Sequence, residues 1–297
     1  MKKDNTKLSI ILLNYNGYKD TLECINSIKE NEKNIDYNIV VVDNNSSDNS
    51  VEILSKIDGI TVIKRNINDG FAAGNNVGIK YSLDKFKSDY ILLLNNDTII
   101  TKDSLSKMLN SLEKDKKAGI ATCKLMKAND KSSIDCYGGN INWNKVVGNF
   151  NYIKKEKDFY YSEISTGACM LIKKEVFEKI GYLSEDYFMY FEDLDYSVRI
   201  VEANYKIQVV PDAIIYHKGG ATAGDASPFA IKWNTRNRII FYKKFNKYVN
   251  KFYFLIFFSI TRVIYFIRYF ITFKFKYIKA LRKGIIEGIK WRKDNEK

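Results

Sequence analysis

Three apolar runs in the first hundred residues each end in a polar cluster, and this pattern limits the fold more than any other feature of the chain. LSIILL (8–13) runs into Asn14-Tyr15-Asn16-Gly17-Tyr18, the run from Tyr37 to Val42 into Asp43-Asn44-Asn45-Ser46-Ser47-Asp48, and the run from Tyr90 to Leu94 into Asn95-Asn96-Asp97. Runs without polar alternation read as strands covered on both faces. Helical patterns lie between them. Leu22, Ile25 and Ile28 mark one face of a helix over about 19–31, Ser47 or Asp48 can cap another over 49–57, and a further strand covers 61–64. Strands alternating with helices predict a mostly parallel sheet with helices on both faces. Such sheets bind ligands beyond the carboxyl ends of their strands, where the three polar clusters fall.

Between Ala118 and Phe150 the pattern weakens, and Gly138-Gly139 with short strand-like pieces suggests a smaller antiparallel part. Residues 165–173 read as a strand, 175–180 as a short helix and 186–201 as a helix rich in carboxylates. Residues 206–211 and 213–216 read as edge strands. With no linker or internal repeat, residues 1–231 read as one mixed α/β domain. Cys24, Cys123, Cys136 and Cys169 are scattered without zinc spacing, as expected of reduced structural thiols in a cytosolic compartment. The charged start, Met1 to Lys7, is followed by an apolar stretch too short for a signal peptide.

The formal charge is +13, and it is unevenly placed. From Lys232 onward there are 18 Lys/Arg and 3 Asp/Glu, which leaves the first 231 residues at about −2. Within this basic tail, 232–297, residues 252–273 are long enough to span a bilayer. Arg262 and Arg268 interrupt them, at about 2.5–3.5 kcal/mol each for a central position. Placed at about 100° per residue, Phe252, Ile256, Phe257, Ile260, Val263, Ile264, Ile267, Phe270 and Ile271 share one face. Arg262, Arg268, Ser259, Thr261, Thr272 and Tyr269 share the other. That arrangement favours a helix lying in the membrane plane, with Lys274, Lys276, Lys279, Arg282 and Lys283 drawn to anionic headgroups. A helix packed on the first domain and a true span are the alternatives. No nucleic-acid-binding module accompanies the charge, so no nucleic-acid partner is expected.

Four clusters could carry chemistry. Asp43 at a strand end suits a nucleobase or ribose, and an Asx-turn or helix cap accounts for it equally well. Asp97 could hold a divalent cation against a diphosphate, or close a plain turn. Asn68 to Gly78 (NDGFAAGNNVG) is a glycine-containing turn entering a helix, without the pattern of a P-loop or a dinucleotide fingerprint. Glu192-Asp193-Leu194-Asp195 sets three carboxylates among aromatic residues, where shielding can raise a pKa and suit an acid to accept a proton. Asp195 and Arg199 are spaced for a helix salt bridge, and spacing alone does not select the base. His217, the single histidine, ends a strand beside glycines, where a structural role and a metal or phosphate contact both remain open.

Taken in order, SIILLNYNG (9–17), IVVVDNNSSDNSVEIL (39–54), NDGFAAGNNVGIKY (68–81), LLLNNDT (92–98), STGACMLIKKEVFEKIGYLSEDYFMYFEDLDYSVRI (165–200) and VVPDAIIYHKGG (209–220) resemble the family 2 inverting glycosyltransferases. The similarity is greatest to the rhamnosyltransferase-like enzymes of bacterial and archaeal surface polysaccharides and extends to about residue 243. The resemblance implies a GT-A fold. It places the nucleotide base at Asp43 with Asn14, Tyr15 and Asn16 around it, and Asn75 and Asn96 on the donor side. It implies Mg²⁺ or Mn²⁺ at Asp97, where Asn95-Asn96-Asp97 keeps one carboxylate of the family's acid-any-acid motif, with His217 as helper ligand. Asp193 matches the catalytic base. Glu192, Tyr190 and Trp143 fall on the acceptor side, and Tyr187, Phe188, Tyr190 and Phe191 are expected to stack on the acceptor or exclude water. The implied partners are a dTDP- or UDP-linked sugar, a saccharide or lipid-linked saccharide acceptor, and the cytoplasmic face of an anionic membrane, bound peripherally. A metal-dependent nucleotidyltransferase, although the first domain lacks an Arg/Lys-rich phosphate loop, and a non-catalytic peripheral membrane protein are the alternatives. No motif encodes the linkage or the oligomeric state.

Overall fold

The first two apolar runs pair side by side as parallel strands, β1 (Leu8–Asn14) against β2 (Tyr37–Asp43), in register to the last residue, with Asn14 opposite Asp43. The computed structural model describes residues 7–150, 159–219 and 227–292. Met1 to Thr6 and Gly220, named above, lie outside the described residues. Helix α1 (Tyr18–Asn31) joins β1 to β2, and α2 (Ser50–Leu54) joins β2 to β3 (Ile60–Lys64). Helix α3 (Phe71–Tyr81) leads to β4 (Tyr90–Asn95), which lies parallel to β1 on its other side. Then follow β5 (Thr98–Ile100), α4 (Ser104–Lys114), β6 (Ala118–Lys127), β7 (Ile134–Cys136), β8 (Asn140–Asn142), β9 (Val147–Asn149), β10 (Tyr160–Ser162), β11 (Cys169–Lys173), α5 (Lys174–Ile180), α6 (Glu192–Glu202) and β12 (Lys206–His217). Last come α7 (Pro228–Lys244), α8 (Lys251–Ile271) and α9 (Phe275–Lys290).

The main sheet runs β10-β12-β6-β11-β4-β1-β2-β3, with β5 beside β12 and β7 beside β6. This is the mostly parallel α/β sheet with a smaller antiparallel part that the apolar runs predict. Alternate residues of each strand enter two cores. Ile10, Leu12 and Val41 pack with Cys24, Ile25 and Ile28 of α1 and with Leu105, Met108 and Leu112 of α4. Ile11, Val40 and Val42 pack on the other face with Ile79 of α3, Val176 of α5 and Tyr196 of α6. The four cysteines are free and buried, and burial pushes the Cys24 and Cys136 thiols up to about 12.

Three expectations need correction. The weak stretch after Ala118 contains β6, a ten-residue strand whose small residues (Ala, Gly, Thr, Cys) hid it. The two edge strands at 206–216 are one strand, β12, which lies inside the sheet between β10 and β6. Its register shifts between Val210 and Ile214, where Pro211 falls, and a bulge is how a strand accommodates a residue without an N–H. The helix expected from residue 186 begins at Glu192, because Tyr190 and Phe191 both adopt left-handed backbone, with φ of 70° and 75°. Its three acids therefore occupy the first turn, where the helix dipole favours them.

The contacts divide the chain into two compact units. The first comprises Met1–Asn140, Phe150–Phe188 and Glu192–Gly219. The second comprises Ile141–Asn149, Met189–Phe191 and Gly220–Lys297. In the second unit Gly284 and Gly288 form a small-residue strip through which α9 meets α7, and a Cβ at Gly288 would lie 2.9 Å from Arg236 O. Helix α8 turns Phe254 inward as its one buried residue and leaves Phe252, Ile256, Ile260, Val263, Ile267 and Phe270 exposed.

Helix α3 seats on the sheet through glycine. Replacing Gly by Ala inside an open helix gains about 1 kcal/mol. At Gly78 the added methyl would lie 2.7 Å from Ile11 Cγ2 and 3.0 Å from Val42 Cγ2. Gly78→Ala is therefore expected to destabilise the chain by about 1–3 kcal/mol, read as a lower urea midpoint.

Candidate active site

The parallel strands deliver their polar ends to one edge of the first unit. Asp43 is fully buried, at 0% exposure. Its Oδ2 accepts from Asn14 Nδ2 at 2.8 Å and from Ser46 Oγ at 2.6 Å, and its Oδ1 from Ser46 N at 2.9 Å. Ser46 Oγ also accepts from Asn16 N at 2.9 Å, and Asn16 Oδ1 accepts from Ser47 N at 2.8 Å. Thr21 Oγ1 donates to Asn14 Oδ1 at 2.8 Å and accepts from Asn96 Nδ2 at 2.9 Å. Asn14, Asn16, Asp43 and Asn96 thus belong to one network, which also contains Ser46 and Thr21. Sequence reasoning missed those two hydroxyls, because a lone Ser or Thr in a loop carries no signal of its own. Tyr15 and Asn16 are exposed at the rim.

Asp97 follows β4, and His217 ends β12. The short β5 pairs with β12 and sets Thr98 opposite His217. His217 Nε2 lies 3.3 Å from Asp97 Oδ1, and Nδ1 lies 2.7 Å from Asp135 Oδ2. Burial alone would lower the imidazole pKa, but the hydrogen bonds to Asp135 and Asp97 outweigh it and push it up to about 9. Burial pushes the Asp97 pKa up, but the hydrogen bond to His217, the His217 charge and backbone N–H groups together outweigh it and hold the carboxyl below its usual range. Asp135, missed in the sequence because it follows the featureless KSS stretch, fixes the far side of the ring. A carboxylate behind a histidine is a common orienting contact for a metal ligand. A hard carboxylate oxygen and an imidazole nitrogen held together suit a divalent cation, with the rest of its coordination left to a ligand and water. Lys218 pairs with Asp20 and with Glu23, at 2.7 Å for the latter, which ties the end of β12 to α1.

The glycine turn enters α3 at Gly70, with φ of 106°. A side chain there would strike the backbone of Phe188, whose carbonyl accepts from Phe71 N at 2.7 Å. Asn76 bridges the same two segments, donating to Leu183 O and Glu185 Oε1 and accepting from Leu183 N. Asn75 is buried and donates to Phe71 O within its own helix. The 166–168 loop precedes β11, which runs antiparallel to β4, and Ala168 O accepts from Asn95 N at 3.0 Å. This loop therefore lies at the same end of the sheet as Asn95–Asp97.

Gly167 N in that loop donates to Asp193 Oδ2 at 3.1 Å, and Leu194 N to Asp193 Oδ1 at 2.8 Å. The three acids of α6 differ in surroundings. Asp195 is fully buried, paired with Arg199 Nε at 2.7 Å and accepting from the Tyr187 hydroxyl at 3.2 Å, which makes it a structural ion pair. Glu192 is buried, and no described residue hydrogen-bonds its Oε2. Burial first, then the charge of Asp193, pushes its pKa well above the usual carboxylate range. Asp193 is half-buried, held by backbone N–H groups, and burial raises its pKa too. Of the four aromatic residues expected to meet an acceptor, Tyr187 and Phe191 are buried and only Phe188 and Tyr190 are partly exposed.

In the second unit the Asn237 amide donates to the carbonyls of Met189 and Tyr190, at 2.8 and 2.9 Å. Trp143 stacks on Phe241 and meets Tyr248 at 4.7 Å between centroids.

Glu192 gives a pH prediction with a definite sign. Its folded pKa is raised, so the folded state holds the proton more tightly than the unfolded chain does. The cost of Glu192 is absent below its ordinary value of 4.5 and grows as pH rises toward the folded pKa. Glu192→Gln does not titrate. Its Tm is expected to match the parent's near pH 4 and to exceed it increasingly toward pH 8, and equal melting curves at all pH values would contradict a buried Glu192 with a raised pKa.

The profile of the family described as Glycosyl transferase family 2 matches residues 9–181. The low-salt glycan biosynthesis hexosyltransferase Agl10 of Haloferax volcanii is 30% identical over 237 residues, which cover 78% of this chain and 74% of that protein. The rhamnosyltransferase WbbL of Escherichia coli is 28% identical over 208 residues, covering 65% and 75%. Among solved structures, the mannosyltransferase PcManGT of Pyrobaculum calidifontis, in complex with GDP-Man and Mn²⁺, superposes with a TM-score of 0.58 at 16% identity. That match covers 80% of this chain and 63% of that one, so this chain spans a little under two thirds of it. The fold is GT-A, as the sequence resemblance implies. With its strand-end site and a profile match over more than half its length, the chain belongs to glycosyl transferase family 2, the enzymes that transfer a sugar from a nucleotide-sugar donor.

Proposed function

We propose that the chain is an inverting, metal-dependent hexosyltransferase that moves a sugar from a dTDP- or UDP-linked donor to a hydroxyl of a saccharide acceptor carried on a lipid at the cytoplasmic face of a membrane. The observation that carries this reading is the sorting of the three acids of α6. Asp195 is neutralised by Arg199 and Glu192 is buried, which leaves Asp193 as the half-buried carboxylate whose described hydrogen bonds come only from backbone N–H groups. Those two bonds fix its orientation without taking up every lone pair, and its raised pKa suits it to take a proton. In this mechanism Asp193 accepts the proton of the acceptor hydroxyl as that oxygen attacks the anomeric carbon opposite the leaving nucleotide. A single displacement of this kind inverts the anomeric centre.

The donor occupies the strand-end network. Asn14, Ser46 and Asn16 hold the 43–48 turn in shape, with Tyr15 at its rim for the base. Because Asp43 is buried beneath Ser46, its part is to set that turn, and a direct contact to the base needs Ser46 to move. Asp97 and His217 would hold Mg²⁺ or Mn²⁺, which when bound offsets negative charge on the departing diphosphate. Their carboxylate and imidazole pairing supports this assignment, and a divalent metal as such is in keeping with the Mn²⁺ in the complex of the fold neighbour PcManGT. Glu192, Tyr190 and Trp143 remain acceptor-side assignments. The exposed apolar face of α8 and the lysines that follow it support attachment to an anionic membrane surface.

Asp193→Asn is expected to lower kcat by about 10²–10⁴-fold while donor binding by thermal shift stays close to the parent's. Full turnover in that variant would remove Asp193 as the base. Asp97→Ala is expected to abolish the metal-dependent rise in Tm seen with nucleotide diphosphate, and an unchanged rise would remove Asp97 as a ligand. Product NMR gives the anomeric outcome directly.

A further inference from the structure

Two arginines in the second unit meet no counter-ion among the described residues. Thr235 and Tyr242 on α7 share a helical face with Arg238 between them. That face meets α8 on either side of Arg238: Arg262 Nη1 donates to Thr235 Oγ1 at 3.0 Å, and the Tyr242 and Phe254 rings stack with centroids 4.5 Å apart. Arg238 and Arg262 therefore share one seam between the helices. The Arg262 guanidinium lies over the Phe258 and Tyr265 rings, at 4.9 and 4.8 Å, and its Nε is buried with no hydrogen-bond partner among the described residues. No described residue hydrogen-bonds or ion-pairs with Arg238. Burial, and then the charge of Arg262, lowers its pKa to about 10.

Among the described residues of this unit the only carboxylate is Glu287. It is engaged elsewhere, with Lys232 at 3.1 Å, Lys283 at 3.8 Å and Arg236 at 3.9 Å. Two partly buried guanidiniums without an anion form a costly arrangement. Guanidinium donors match phosphate oxygens two at a time. The face of α8 turned away from the seam is apolar and exposed, so acyl chains have a surface on the same helix. From this geometry we propose that Arg238 and Arg262 form a binding site for the headgroup phosphate of an anionic membrane phospholipid. The site is local and geometric, unlike the diffuse attraction of the lysines on α9. Only the lipid source of the phosphate rests on the membrane reading of α8.

The full chain with Arg238→Lys/Arg262→Lys separates the two kinds of attraction, because net charge is kept and the two-pronged donors are lost. Binding to phosphatidylcholine vesicles containing phosphatidylglycerol is expected to weaken by about tenfold. Lys276→Arg/Lys279→Arg on α9 should bind like the parent. In lipid-free buffer, inorganic phosphate should raise the parent's Tm above that in chloride of equal ionic strength, and should raise the Lys pair's less. Parent-like vesicle binding by the Lys pair would overturn the proposal, as would a parent Tm indifferent to phosphate, a readout that stands even if the variant misfolds. A phosphate effect without preference for phosphatidylglycerol would assign the site to free phosphate and overturn the lipid source. A parent that binds no vesicles would remove the membrane reading, while the phosphate effect on Tm still decides on the arginine pair.

Discussion

The bond from Asn14 to Asp43 depends on β1 and β2 being parallel and in register to their ends, and the first unit is organised around that constraint. Parallel pairing sends every connection back across a face of the sheet, so the strands end together and their last side chains meet. Asn14 donates to a carboxylate that would otherwise be buried without partners, Ser46 completes the set, and Thr21 carries the network across to Asn96. A buried carboxylate is tolerable only with such donors, and their cost is offset by the rigid turn they create. The antiparallel β11 then brings a loop to the same end of the sheet, and with it the backbone N–H that orients Asp193.

Three neighbouring carboxylates show how surroundings assign roles to one kind of side chain. Asp195 meets a guanidinium, Glu192 meets apolar burial, and Asp193 meets two amides and partial exposure. Nothing in EDLD as a string of letters separates them. Their rotation around the first turn of α6 does, and that turn starts where two left-handed residues stop the preceding chain from continuing as helix.

The strands β1, β2 and β4 and their polar ends were legible because continuous apolar runs have few readings other than buried strands. Asp193, Asp97 and His217 were legible as candidates through motif resemblance. Residues whose role comes from tertiary contact were not. Asp135 lies 82 positions from His217, and Asn76 lies 107 from Leu183. The strand β6 was obscured because small residues pack well between two neighbours without looking strongly apolar, and β12 was split by a proline that a bulge accommodates. In α8 the periodicity was clear, but which face turned inward was not. The helix turns its Arg262 side toward α7 and its apolar side out, the reverse of a water-soluble surface helix.

The four buried cysteines have a practical consequence. All of them lie in the first unit, and none is on α7, α8 or α9. Buried thiols react with an alkylating reagent only when the structure around them opens. The chain therefore carries its own clock for the opening of the sheet domain, one that is blind to motion of the C-terminal helices. Labelling rates with and without a bound nucleotide would time the breathing of the sheet without introducing a foreign probe.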